Sequence, residues 1–354
     1  MSDAILRRIR PSQLRELVLL LVIVAMIAFF AFQVDGYLTG RTFNRITTDF
    51  PIIAVVAVGQ VLVVLTRNID LSVGSQVGLV AWALGRLIGE VPDLNPLVLV
   101  ALGVGMGMIL GAINGFIVAY GRVPAIITTL ATLAIYRSFL ITVAEAQTVT
   151  TRGFPDWLLG FPSTNLLQLG DFDIRLVFIV TLAVVAIGQF VLSYLPYGRR
   201  LYAIGSNPDA ARVAGLPMQR DVFLAFVACG ALAGLGGFMF MAKFGTITVI
   251  AGLGLELSVV AAVVVGGVNI FGGSGSMAGA LLGAILISIL EQSLRRWIGI
   301  SDFMRDFLTG VLILVAVASD KVVMGRVQEA WIRVKRRDDA AARVARGEPR
   351  GAGG

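Results

Sequence analysis

Apolar runs long enough to cross the ~30 Å hydrocarbon core of a bilayer recur from residue 17 to residue 318. No other feature restricts the fold as strongly. In lipid, every backbone amide and carbonyl must be paired within a helix or around a closed barrel, and these runs lack the alternation of barrel strands. The expected fold is an all-α, polytopic bundle of about ten transmembrane helices. Of 354 residues, 57% are hydrophobic and 14% charged, far from the mix of an ordinary soluble domain.

Hydropathy places spans near 16–34, 51–66, 71–89, 96–120, 124–143, 176–195, 222–243, 257–271, 276–291 and 303–319. The short pieces at 257–271 and 276–291 are candidates for tilted, broken or re-entrant segments. The first run follows Arg7, Arg8, Arg10 and Arg15 like a secretory signal, but it is too long and no small-x-small site follows, so it reads as a retained span. Three regions result: a cytoplasmic segment at 1–15, a membrane domain at 16–320 and a basic cytoplasmic tail at 321–354.

Loop charge sets the orientation. Segment 197–220 carries Arg199, Arg200, Arg212 and Arg220 against Asp209, whereas 144–175 carries Glu145, Asp156, Asp171 and Asp173 against Arg152 and Arg175. The first belongs in the cytoplasm and the second outside, with both termini inside. Arg295 and Arg296 then fall on the outer side, against the rule. The net charge of +7 is concentrated in the tail, where membrane topology explains it without nucleic acid.

Several function classes drop out. With one cysteine and no histidine, a disulfide framework, a cysteine metal site and a histidine relay are excluded. No nucleophile stands beside a base, so no catalytic residue, metal or cofactor is assigned to this chain. The nearest approach to a phosphate loop, at 272–279, has no lysine, so ATP-driven work would need another chain. A transporter driven by an ion gradient would carry functional carboxylates or histidines deep in its spans, whereas the acidic residues here gather at span ends.

Gly103, Gly107, Gly111 and Gly115 recur every fourth residue and form one helix face, a small-residue groove for close packing in lipid. Gly275, Gly279 and Gly283 repeat the device. Between the second and third spans, Arg67, Asn68 and Asp70 interrupt the apolar run. Asp70 and Ser72 suit a helix start, where a carboxylate favours the positive end. The alternative is that Asp70, paired with Arg67, lines a pathway, together with Ser72, Tyr136, Arg137 and Glu256. Residues 69–73 (Ile-Asp-Leu-Ser-Val) are echoed at 255–259 (Leu-Glu-Leu-Ser-Val), as in transporters built from two related halves.

Loop 197–221 specifies a short helix near 208–214: Asn207 as cap, Pro208 at the first position, Asp209 in the first turn, Gly215 and Pro217 as the stop. The pattern of Gly205, Asn207, Pro208, Ala210, Ala211 and Gly215 is similar to the coupling loop in membrane subunits of bacterial ATP-driven sugar importers, the family of ribose, rhamnose and autoinducer-2 permeases. Residues 69–75, the Pro124-Ala125-Ile126 stretch with Thr129 and Leu130, Tyr136-Arg137, and Gly272-Gly273-Ser274-Gly275 followed by Gly279 resemble further motifs of that family, over about 50–320. Asn68 and Ser138 depart from it, where glycine is frequent.

The resemblance implies a type II ABC importer architecture in the bacterial inner membrane. It also implies a partner ATPase holding ATP and Mg, which pushes on Gly205, Asn207, Pro208, Asp209, Ala210, Ala211, Arg212 and Gly215. A second permease copy, identical or related, would face this one in the lipid bilayer, and a periplasmic substrate-binding protein would deliver the cargo. Rhamnose or autoinducer-2 is the favoured cargo, with ribose, branched-chain amino acids or nucleosides as alternatives.

Overall fold

The computed structural model describes residues 11–297 except Ala146, with scattered helical positions between 304 and 314. The expected span at 303–319 and the segments 1–10 and 321–354 lie wholly or largely outside the described residues. Five helices come first: α1 (Pro11–Gln33), α2 (Gly40–Leu65), α3 (Val73–Glu90), α4 (Pro96–Ala119) and α5 (Ala125–Ala144). The next loop holds a short helix, α6 (Asp156–Gly160), and an antiparallel hairpin of β1 (Asn165–Leu169) and β2 (Phe172–Arg175). Then follow α7 (Leu176–Tyr194), α8 (Pro196–Ser206), α9 (Pro208–Val213), α10 (Met218–Phe244), α11 (Leu255–Val265) and α12 (Met277–Arg296).

Seven of these helices, α1, α2, α4, α5, α7, α10 and α12, are long and apolar enough to cross a membrane, so the chain is a multi-pass membrane protein. The buried α3 and the shorter α11 occupy two further segments expected to span. At 11 residues, α11 rises only about 16 Å, half the hydrocarbon layer. It therefore cannot be the full span expected at 257–271. Val265 is its last residue because Gly266 and Gly267 follow, the second in the left-handed region (φ 92°), which favours glycine.

The second helix also departs from expectation. Instead of starting at Pro51, it begins at Gly40 and passes through the proline. Pro51 forfeits one backbone bond. The turn before it is reinforced by the Thr48 hydroxyl, which donates to the Asn44 carbonyl at 2.6 Å, and by Thr47, which donates to Phe43 and Asn44. Neighbours hold the rest: α2 is the buried axis of the bundle, packed by α7, α10, α11 and α12. Apolar residues of α1, α4, α5 and α7 stay exposed, as lipid-facing helices require.

Two stretches share one plan. In α2–α3–α4 and in α10–α11–α12, a long helix is followed by a non-helical break, a helix that starts at that break, and a third helix packed on the first helix of the other stretch. α4 lies on α10 because Gly103, Gly107 and Gly111 face Gly234, Gly230 and Phe226, so that a methyl at Gly107 would collide with the Gly230 carbonyl. In the second stretch Gly279 and Gly283 press on Gly266 and Ala262. Gly275 does not belong to that helical face. It lies in the preceding turn at φ 152°, before Ser276 caps α12.

Arg295 and Arg296 have local partners. Arg296 donates to the Thr42 hydroxyl and the Gly36 carbonyl and lies over the Tyr37 ring, while Arg295 pairs with Glu291 one turn earlier.

Candidate functional site: two chain breaks and the α8–α9 latch

The first break, 66–72, turns back into the bundle and carries Asp70 to full burial. Asp70 Oδ1 accepts from the Ser72 amide (2.9 Å) and hydroxyl (2.6 Å), Oδ2 accepts from Gln76 Nε2 (3.3 Å), and Asn114 Nδ2 of α4 approaches both oxygens at 3.4 and 3.3 Å. Asn114 and Gln76 also donate to the Ser72 hydroxyl at 2.8 Å each. Tyr136 of α5 donates to the Leu110 carbonyl and to Asn114 Oδ1, and Thr129 donates to the Ile69 carbonyl. Gln60 of α2, with its amide oriented to match, pairs with the Asp70 backbone at 3.1 and 3.2 Å. Side chains from α3 and α4 thus bond the carboxylate, while side chains from α2 and α5 bond the backbone and the asparagine beside it. No ammonium or guanidinium forms an ion pair with it among the described residues. Donors alone compensate its desolvation.

The second break, 245–254, runs along α3 in irregular backbone. Ala251 and Gly252 press on Gly78 and Gly74, where any side chain would collide. Arg137 of α5 donates to the carbonyls of Val249 (3.1 Å) and Ala251 (2.6 Å), and its Nε is buried without a partner. Glu256, in the first turn of α11, accepts from the Gly254 amide through one oxygen, while the other is buried without a partner against Gly74. Buried polar atoms without partners are uncommon. Here a cation and an anion with spare hydrogen-bonding capacity flank one stretch of non-helical backbone.

At the α2–α3 end of the bundle, three separate stretches of sequence converge. Gly205 approaches so closely that a side chain would collide with the Leu65 carbonyl and the Gly273 amide. Arg67 Nε donates to the Gly205 carbonyl at 2.6 Å and its NH2 donates to the Ser206 carbonyl at 3.0 Å. Gly273 N donates to Leu65 O (3.1 Å), and Tyr202 donates to Gly275 O (2.8 Å). The first break, the end of α8 and the turn before α12 are therefore bonded together. From this latch projects α9, capped by Asn207 Oδ1 accepting from the Ala210 amide, seated by buried Ala211 and stopped at Gly215 (φ 71°). Its last residue, Val213, is 91% exposed. Behind α8, Arg200 clasps the buried Asp221 through bonds of 2.6 and 3.0 Å, which raise the Arg200 guanidinium above its ordinary pKa.

Residues 42–317 match the family described as branched-chain amino acid transport system / permease component. The chain belongs to this family. Curated relatives include the autoinducer 2 import system permease protein LsrC of Enterobacter sp. (strain 638), 34% identical over 96% of this chain and 94% of that protein. The proteins of the same name from Escherichia coli (strain K12 / DH10B) and Salmonella typhi are 33% and 32% identical, each over 92% of this chain and over 92% and 90% of their own lengths. The chain is a membrane transport component of the ABC importer permease class.

Within this permease, Asp70, Ser72 and Tyr136 share the first cluster, and Arg137 and Glu256 flank the second break. Arg67 stands apart from Asp70, since its guanidinium is committed to the latch. Ser72 occupies the cap position of α3, but its hydroxyl caps nothing and serves the Asp70 cluster instead. Gln60, Gln76, Asn114 and Thr129 belong to that cluster and were missed by sequence reasoning. The available signal was an amide or hydroxyl inside an apolar span, which in lipid has to find a partner. Phe116 is exposed on α4, and Tyr120, which follows that helix, lines a cavity shared with Thr66, Arg67 and Asn68 of the first break.

Proposed function

We propose that the permease is the membrane subunit of an ATP-driven importer for a small sugar-derived molecule, with autoinducer-2 as its cargo. In this reading α9 faces the cytoplasm of a bacterial cell, where a separate ATPase binds ATP and Mg and presses on Asn207 to Gly215. A periplasmic protein delivers cargo to the opposite face, and a second permease copy completes the pathway.

One observation carries the coupling: Arg67 ties the base of α9 to the break that holds Asp70. Displacing α9 pulls on the carbonyls of Gly205 and Ser206, hence on Arg67, and three residues later on a carboxylate bonded by side chains of α3 and α4. The second break supplies the complementary element, a polar stretch between Arg137 and Glu256 that hydroxyls can bind without a buried net charge. The names of the relatives support the cargo, and the scarcity of strong ligands suits a passage whose selectivity lies in the delivering protein.

The test is uptake of labelled autoinducer-2 by cells carrying the permease with its ATPase and binding protein. Alanine in place of Asn207, Pro208 and Asp209 is expected to abolish uptake while membrane insertion stays normal; retained uptake refutes the coupling. Uptake of leucine or ribose in preference to autoinducer-2 refutes the cargo. Uptake that survives loss of the ATPase and collapses with the ion gradient refutes the importer reading.

A further inference from the structure

Beside the latch lies a second feature that transport of a neutral sugar does not explain. A cavity of about 1000 Å3 opens between the end of α2, the α4–α5 turn, α9 and the start of α10. Four arginines line it, Arg67, Arg122, Arg212 and Arg220, and no acidic side chain does. Arg122, Arg212 and Arg220 form no ion pair among the described residues. The nearby acidic group in α10, Asp221, is turned to Arg200.

The backbone adds to this charge. The amino-terminal ends of the 20-residue α5 and the 27-residue α10 both border the cavity, at Ala125 and at Met218 and Gln219. Their partial positive charges favour an anion. Among the described residues only three non-glycine positions have left-handed backbone, and two of them, Arg67 (φ 66°) and Arg122 (φ 57°), stand at this cavity. Such strain persists where the surrounding structure requires it and gathers at binding sites. Four guanidiniums within one concavity repel one another, and a dianionic group with several acceptor oxygens is the ligand that relieves the repulsion.

We propose that this cavity binds a phosphate ester, either a soluble phosphorylated small molecule or the headgroup of an anionic phospholipid. The volume exceeds that of bare phosphate and leaves room for an attached group of sugar or glycerol size. An occupant would bridge Arg212 on α9 to Arg67, Arg122 and Arg220 on the bundle, restraining the element through which the permease is proposed to be moved.

The experiment uses the purified full-length chain in phosphatidylcholine nanodiscs, without the ATPase, so its failure leaves the transport reading intact. Glycerol 3-phosphate is titrated at low salt, with glycerol as the uncharged control. Binding of the phosphate alone is expected, weakened at least about 10-fold by Arg122→Gln and further by Arg122→Gln with Arg220→Gln, while Arg122→Lys recovers part of it. An unchanged elution profile and helical signal confirm that each variant is folded. The source is then read from nanodiscs containing phosphatidylglycerol. Lost glycerol 3-phosphate binding, with lipid retained by the wild type but not by the double variant in native mass spectrometry, assigns the headgroup. Undiminished binding assigns a soluble ester. Equal binding by wild type and double variant, or no binding of either probe, overturns the proposal and leaves the arginines to an acidic surface of a partner protein.

Discussion

The two breaks lead into helices through nearly the same five residues, whose carboxylates end in opposite states. At 69–73 the carboxylate of Asp70 is enclosed and both oxygens meet donors from Ser72, Gln76 and Asn114. At 255–259 Glu256 is half-buried, with one oxygen on the start of its own helix and the other without a donor. The difference lies in what faces each motif. α4 and α5 bring an asparagine and a tyrosine to the first, whereas α3 brings Gly74 and Gly78 to the second, which let the backbone approach but offer no side-chain donor. An acidic-Leu-Ser motif sets where a helix begins inside the bundle. The facing element decides whether its carboxylate becomes a closed structural node or an open group.

Four substitutions sharpen or break that contrast. The largest effect is expected from Gly74→Val, at the contact between the two stretches. Its side chain would strike the Glu256 carboxylate and the Gly252 carbonyl, so little monodisperse protein should survive size exclusion in detergent. A normal elution would show that the breaks are not pressed together as described. Asp70→Asn puts a donor where Gln76 and Asn114 already donate. It should cost about 1–3 kcal/mol, read as a lowered unfolding temperature, and abolish uptake. Unchanged uptake with unchanged stability would remove Asp70 from the mechanism.

A smaller effect on stability, roughly 1–2 kcal/mol, is expected from Arg67→Ala, which frees the carbonyls of Gly205 and Ser206. Uptake should fall much further than stability, because the side-chain tie from the first break to the end of α8 is lost while α9 remains. A parallel fall would make Arg67 a purely structural group. The smallest effect belongs to Glu256→Gln, since the amide oxygen still accepts from Gly254 and the other position has no donor to lose. Stability should change by less than about 0.5 kcal/mol, and any change in uptake then reports on the pathway. A loss comparable with Asp70→Asn would show that the second carboxylate has an unrecognised partner and that the two breaks are alike.

Much of the fold was legible because lipid enforces it. Nine of the ten expected spans fall on described helices, and the caps at Asn207, Pro208 and Gly215 place α9 where their chemistry requires. The errors share a cause. Pro51 reads as a helix start, but burial on several sides holds α2 through it. The stretch after Val265 reads as more span, but paired glycines end α11. The helix α8 was missed because Gly198, Gly205 and its arginines resemble a loop, whereas Pro196 opens it and buried Leu201 and Ile204 seat it against the bundle.

Sequence alone determined that the chain lives in a membrane, that it is helical, and that its loops carry a capped peg. Those properties follow from short-range rules: the length of an apolar run, the spacing of glycines, the residue at a helix end. Only the tertiary structure decided that Arg67 serves the latch and not Asp70, that amides of α3 and α4 close on one carboxylate while Glu256 stays open, and that four arginines from separate segments share a cavity. Each of these depends on which helices become neighbours. In lipid that choice is made by close packing of small residues across long stretches of chain, information that no local pattern contains.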